Sequence, residues 1–411
     1  MAQFTLTGEV RPRAEMRNGF KSPHPEGSDP ALFIEQRTRL YMNYSLDKIQ
    51  LNISLQDVRM WGSTSQIYKS DPTLTNLYEA WARYKFNDTF AFTVGRQALD
   101  YDNARFMGDL DWAQQGRSHD ALLFTRTNSD KGCKLHLALA FNQKIDFEPA
   151  KLTGSEYFGV NNYKSMVFVW WNKKFDQGSM SLLFHNDGQQ AADTTVASRQ
   201  TYGALGEFTT GPWKLDGELY YQGGQNKLKT DVSALLLTLH ATFKTNVTPL
   251  TLGFEYLSGT SLTDDKDYSF NPLYGTNHKF YGYMDYFYVG NSHGQAGNGT
   301  TSGLIDIHLK TNFKLSAKSA LAANIHHFSS PVAIYEDNSG ATSLTTGLGT
   351  EIDLVYTATL SKDVKFNLGY SQMFATETLQ VIKNVNNASQ FNNWVWAMIA
   401  FKPQLFTTAK Q

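Results

Sequence analysis

Hydrophobic and polar residues alternate along this chain with a period of two, in blocks of about ten residues, and that spacing puts each set on its own face of a β-strand. Phe4, Leu6, Val10 and Pro12 oppose Thr5, Thr7, Glu9, Arg11 and Arg13. Ile49, Leu51, Ile53 and Leu55 oppose Gln50, Asn52, Ser54 and Gln56. The pattern returns at 134–142, 213–222, 250–256, 305–313, 351–360 and 364–371. Weaker copies lie at 33–45, 76–86, 90–97, 118–127, 163–175, 178–186, 199–210, 231–243, 318–328 and 391–402. The total is about eighteen segments, each long enough for a tilted strand to cross the hydrocarbon layer, and an even count suits a closed meander of hairpins.

Junctions between the segments are tight at Asp47-Lys48, Asn87-Asp88, Thr210-Gly211, Thr245-Asn246 and Ser361-Lys362. Long polar connections fall at 17–32, 62–75, 98–117, 145–162, 187–198, 259–301, 329–346 and 375–390. Short turns on one rim and long loops on the other are the asymmetry of an outer-membrane barrel. Tyr78, Tyr84, Phe86, Phe90 and Phe92 stand near predicted strand ends, where amphipathic rings sit at headgroup level. The expected fold is all-β: a transmembrane, antiparallel, up-and-down β-barrel of about 18 strands. Residues 3–405 form this one domain and 406–411 a C-terminal tail. The 259–301 loop is long enough to fold into or over the pore.

Composition narrows the choice of function. Thirty-seven basic and 38 acidic side chains leave a net charge of −1, so no global field draws nucleic acid. The one cysteine, Cys133, forms no internal disulfide and no cysteine-based zinc site. The longest apolar run, Trp394–Phe401, is far shorter than the roughly 20 residues of a membrane-spanning helix. The N-terminus enters strand-like sequence at once, which reads as a mature chain restarted with Met after removal of an export signal.

Arginine is uneven: eleven lie between Arg11 and Arg126, and Arg199 alone follows. Glu9/Arg11, Glu35/Arg37, Glu79/Arg83 and Asp57/Arg59 share parity along their strands, so Arg11, Arg13, Arg37, Arg39 and Arg83 are expected in the lumen. Two readings stay open. One is an ion-pair lattice bracing the wall. The other is a guanidinium ladder that favours anions and grips carboxylates bidentately. Asp57 and Arg59 carry the lipid-facing parity of Leu51–Leu55, which predicts a bulge near Gln56 or the strand's exit from hydrocarbon. Arg96 poses the same problem, with Gly95 as a kink beside it.

Other chemistry is discounted. His326 and His327 are adjacent on a strand and point to opposite faces, so they do not chelate together, and no metal or cofactor is expected. Asp264, Asp265 and Asp267 lack the glycine and terminal glutamate of an EF-hand. Asp109 and Asp111 could serve as a glycosidase pair, but no cleft is predicted around them, and no nucleotide-binding or nucleophile-elbow pattern occurs. An enzyme is not expected.

Gly95-Arg96-Gln97, followed by Asp102, Arg105, Gly108, Asp111-Trp112, Gln114, Arg117 and Asp120-Ala121, resembles the signature of the alginate export family of outer-membrane porins. So do Tyr274–Gly282 with Asp285, and Gly349-Thr350-Glu351-Ile352-Asp353-Leu354. The likeness runs from about residue 4 to 402. It implies an eighteen-strand barrel in the Gram-negative outer membrane with an electropositive lumen, and the best-known member exports an anionic uronate polymer. Carried onto matching positions, it implies that Arg96, Arg105, Arg117, His278 and Lys279 line or gate the pore. Asp111, Asp120, Asp285, Glu351 and Asp353 would be counter-charges, with Glu79 beside Arg83.

The function expected is a channel for anionic saccharides or small acidic solutes, its partners being lipid, the solute and, for an exporter, periplasmic proteins. The alternatives are a nonselective porin with structural lumen charges, or a surface receptor or adhesin using the long loops.

Overall fold

The computed structural model describes residues 2–67, 74–143, 163–191, 193, 195–287, 293–297, 299–385 and 387–408. The alternating blocks become antiparallel strands, each hydrogen-bonded to its sequence neighbours. They are β1 (Gln3–Asn18), β2 (Ala31–Leu46), β3 (Ile49–Met60), β4 (Thr75–Lys85), β5 (Phe90–Gln97) and β6 (His119–Asn128). There follow β7 (Cys133–Phe141), β8 (Ser165–Phe175), β9 (Gly178–Gln190), β10 (Val196–Thr210), β11 (Trp213–Gln225) and β12 (Asp231–Lys244). The last are β13 (Pro249–Leu257), β14 (Leu304–Lys314), β15 (Ser319–Ser329), β16 (Gly347–Ser361), β17 (Val364–Ala375), β18 (Asn392–Phe401) and β19 (Gln404–Thr407).

β18 and β19 are one stave. Both lie on β1, with Met398 opposite Arg13 and Thr407 opposite Thr5, and Pro403 interrupts them because it has no N–H to give the ladder. β1 also pairs with β2, so the sheet closes on itself as an 18-strand barrel without a free edge. The barrel thereby includes Phe406 and Thr407 of the expected tail.

Alternation sets the two faces. Leu51, Ile53, Val94, Leu219, Leu239, Leu252 and Leu309 are 41–58% exposed on the outside, which is the surface that lipid tails cover. Glu9, Arg11, Arg13 and Glu15 on β1 are at most 5% exposed, on the inner face. Tyr84, Phe86 and Phe92 form an outer aromatic cluster with centroids 5.4 and 5.6 Å apart at the short-turn rim. Tyr78 departs from the girdle expected for it. A bulge in the β3–β4 ladder turns it inward beneath Arg39, whose guanidinium lies 3.5 Å from the ring.

That bulge falls between Ser54 and Leu55, close to where the sequence called for one, yet it leaves the parity of β3 intact. Asp57 and Arg59 stay on the outer face and neutralise each other through two 2.6 Å contacts near the end of the strand. The long connections gather on one rim, and that between β10 and β9 shrinks to 191–195 because both strands run past the expected loop. The 145–162 loop lies outside the described residues.

Candidate functional site

Two of the long connections meet inside the barrel, 98–118 and 258–303. Met107 bridges Tyr274, Gly108 N donates to Tyr274 O at 2.9 Å, and Thr276 N donates to Ala104 O at 2.8 Å. Around this junction Leu99, Phe106, Met107, Leu273, Tyr274, Tyr281, Met284 and Tyr286 pack against inward residues of the wall, Phe168, Tyr220, Phe328 and Trp394, all at most 4% exposed. A barrel this wide leaves a water-filled lumen unless something fills it, and here the loops supply an apolar core of their own.

Arg105 anchors that core. Its guanidinium, 1% exposed, meets Glu255 at 2.6 and 3.0 Å and Glu218 at 3.3 Å, donates to the Tyr281 hydroxyl oxygen at 3.0 Å and stacks on Phe280 at 3.7 Å. Burial disfavours its charge, but Glu255, Tyr281 and Glu218 outweigh that and hold the guanidinium protonated well beyond its ordinary range. Arg105 is therefore a rivet between loop and wall, and its carboxylate partners lie on β11 and β13.

The tip of the 98–118 loop rests on the arginine wall of β1 and β2. Leu110 adopts a φ of 53°, a strained value for a residue with a Cβ, and this turn delivers Asp111 to the guanidiniums. Asp111 meets Arg37 at 2.9 Å, Arg11 at 3.3 Å and Arg39 at 3.7 Å. Burial pushes its carboxyl up, yet Arg37, Arg11 and Arg39 together hold it below the usual carboxylate range. Next along the chain, Trp112 lies between the Arg13 guanidinium, 4.1 Å from its centroid, and the His278 ring, stacked at 4.3 Å. His278 in turn contacts Asp285 at 2.8 Å.

The wall arginines are also paired with wall carboxylates, both across strands and along them. Arg37 takes Glu9, Arg13 takes Glu35 as well as Glu15 at 2.8 Å, and Arg17 takes the other oxygen of Glu15. Arg83 faces inward and donates to Thr93 at 2.8 Å, while Glu79 accepts the backbone N–H of Ala98 at 3.0 Å at the root of the inward loop. Arg117 donates to Gly275 O at 3.0 Å, joining the two loops. Glu351, fully buried, accepts the N–H of Met284 at 2.8 Å, and Asp353 accepts Ser371 Oγ. Both carboxylates serve loop and wall contacts rather than the arginines assigned to them.

Arg96 and Asp120 correct the sequence reading. They pair at 2.9 Å on the outer face, 40% and 61% exposed, with the parity of Phe90 and Val94, while Thr93 and Gln97 point inward. Gly95 has a φ of 116°, and a Cβ there would stand 2.3 Å from Ala80 O, yet this kink does not rotate Arg96 into the lumen. The resemblance placed Arg96 by its motif; strand parity places it at the loop end of the outer wall. Arg96→Ala is accordingly expected to leave ion selectivity unchanged in bilayer recordings and to lower stability by no more than about 1 kcal/mol in thermal melts, the range of exposed pairs.

Between the loops and the β9–β14 wall lies a chamber of about 500 Å³ lined by Asp102, Lys214, His240, Lys279 and Lys310. Lys214 is paired with Glu207 at 3.3 Å and Lys279 donates to Asn103 O at 2.9 Å. Lys310 has no carboxylate within ion-pair distance among the described residues. The resemblance already pointed to Lys279; Lys214 and Lys310, nearly a hundred positions apart on β11 and β14, escaped sequence reasoning, and only their inward parity marks them.

With barrel, loops and arginine wall in view, the comparisons with known proteins are decisive on kinship. The family model described as "Alginate export" matches residues 2–144 and 169–392. The chain belongs to the alginate export family. No curated protein matches it in sequence. Among solved structures it is similar to Pseudomonas aeruginosa OccD3 (OpdP), with a TM-score of 0.65, 13% identity, and 98% of this chain and 92% of that one covered. OccK9 (OpdG) of the same organism gives 0.64 and 11% over 98% of both chains. OpdK, solved with vanillate, gives 0.61 and 9%, covering 97% of this chain and 98% of that one. These likenesses show a shared closed β-barrel fold.

Proposed function

We propose that this member of the family is an outer-membrane channel for small anionic solutes, acidic saccharides among them, which bind in passing to the arginine wall of β1 and β2. The observation that carries the reading is the reception of Asp111 by Arg37, Arg11 and Arg39. Three guanidiniums that hold a loop carboxylate are chemically able to hold a solute carboxylate, and bidentate geometry favours planar anions. Lys279 and Lys310 in the chamber offer a second, weaker stop. A chamber of about 500 Å³ is on the scale of a small-molecule site, which favours small acids over a bulky polymer. The related OpdK barrel was solved with vanillate, itself a small carboxylate.

The nonselective reading has its own support, because Glu9, Glu15 and Glu35 neutralise much of the wall. Reversal potentials across a planar bilayer under a salt gradient separate the two. The channel reading expects anion preference in the parent protein and a clear shift toward cations in Arg11→Gln/Arg37→Gln, with galacturonate slowing the ion current only in the parent. Unchanged selectivity in the double variant, together with a lowered melting temperature, would instead assign these arginines to bracing alone.

A further inference from the structure

Three lumen-facing histidines stand on one register line of the wall. His240 on β12 is opposite Gly253, Gly253 is opposite His308, and His308 is opposite His326. Their ring centroids are 5.3 and 4.9 Å apart. The close approach depends on Gly253, since a Cβ there would stand 2.0 Å from His308 Nε2. Asp306, two residues before His308, turns its carboxylate into the same place. Its Oδ2 lies 3.1 Å from His308 Nδ1 and 2.8 Å from His326 Nδ1.

We infer that Asp306, His308 and His326 form a binding site for a divalent transition-metal ion of the zinc class. Two imidazoles and one carboxylate are a zinc donor set, and tetrahedral bonds of about 2.0–2.1 Å hold donor atoms roughly 3.3 Å apart. The two carboxylate–imidazole separations, 3.1 and 2.8 Å, need to widen by only a few tenths of an ångström to admit the ion. All three candidate donors lie within 4.8 Å of one another and are at most 2% exposed. Asp306 has no Lys or Arg partner among the described residues, so a buried carboxylate there relies on the imidazoles or on a cation between them.

His326 Nε2 is buried without a hydrogen-bond partner. Coordination through Nδ1 puts the proton on that nitrogen, toward the strand carrying Glu351, the register partner of His326, whose Oε2 also lacks a partner. His308 lines the chamber, which gives the ion a route from solution. A neighbouring set, His240, Glu255 and His308, is disfavoured because Arg105 already occupies Glu255 and repels a dication.

The test is calorimetric titration of the folded, chelator-stripped protein in detergent with Zn²⁺ alone, against Asp306→Asn, His326→Ala, His240→Ala and His327→Ala. Heat-modifiable migration on gels checks that each variant keeps its barrel. One Zn²⁺ per chain is expected, with affinity reduced on the order of 100-fold in Asp306→Asn and His326→Ala and unchanged in His240→Ala and His327→Ala. Zinc-edge absorption of the parent protein should show imidazole scattering in a nitrogen and oxygen shell, a readout that requires no variant to fold. Absence of stoichiometric uptake, loss of affinity in His240→Ala but not His326→Ala, or an oxygen-only shell would each overturn the assignment.

Discussion

Arg105→Met should undock the inner loops more completely than any other single substitution. It removes the guanidinium that bridges Glu218 and Glu255, which are at most 3% exposed, and leaves the two carboxylates in the apolar packing with only the His240 imidazole, 3.2 Å from Glu255, as an ion-pair contact among the described residues. Breaking a buried pair from one side costs about 3–5 kcal/mol, mainly through the stranded charge. The contacts to Phe280 and Tyr281 are lost with it, and those rings belong to the loop that would be released. The barrel ladder is untouched, so circular dichroism should still report strands. Proteolysis within 98–118 and 258–303 should become fast, and single-channel conductance should rise. Adding Glu218→Gln and Glu255→Gln to Arg105→Met should restore much of the protection, because uncharged partners need no counter-ion. If the variant resists protease as the parent does, the loops are held by the apolar junction alone.

The contrast between wall and loops explains what could be read from the chain. Strand count, inner and outer faces, and the alternation of rims follow from a period of two repeated across the whole length, a local property that survives without any knowledge of contacts. Arg11, Arg13, Arg37 and Arg39 were legible for the same reason. Parity alone, applied strictly, also places Arg96 outside; the family motif pulled the expectation the other way. What could not be read was pairing at a distance. Arg105 meets carboxylates 113 and 150 residues further on, and Asp111 meets Arg11 on β1, 100 residues earlier, together with Arg37 and Arg39 on β2. Such contacts depend on how a loop turns back into the lumen, and a loop carries no periodicity. The histidines show an intermediate case. Adjacent His326 and His327 do point to opposite faces, the former buried and the latter at Thr350 on the exposed side. The informative neighbour of His326 is the cross-strand His308, visible only once register is fixed.

Asp111→Asn is expected to change both how often the lumen opens and what passes through it. The side chain is about half exposed, 54%, so its three guanidinium contacts are screened and together hold the loop tip by about 1–2 kcal/mol. Losing that much raises the undocked fraction of the tip by roughly 5–30-fold. The same substitution leaves Arg11 without its only ion-paired carboxylate among the described residues and deprives Arg37 and Arg39 of theirs in the loop. Current noise from loop motion should therefore increase while anion preference strengthens, two effects that a bracing role for the wall would not link. Acid should reproduce the first effect only at an extreme. A carboxyl held below its ordinary range contributes its full docking energy above about pH 4, the unperturbed value, and loses it as pH falls through the lower value of the docked state. The parent channel should thus gate alike from pH 7 to about pH 4 and become noisy below, whereas Asp111→Asn should be noisy throughout. A parent whose noise rises already near neutrality would show that some other titrating group, and not the Asp111 carboxylate, holds the loop.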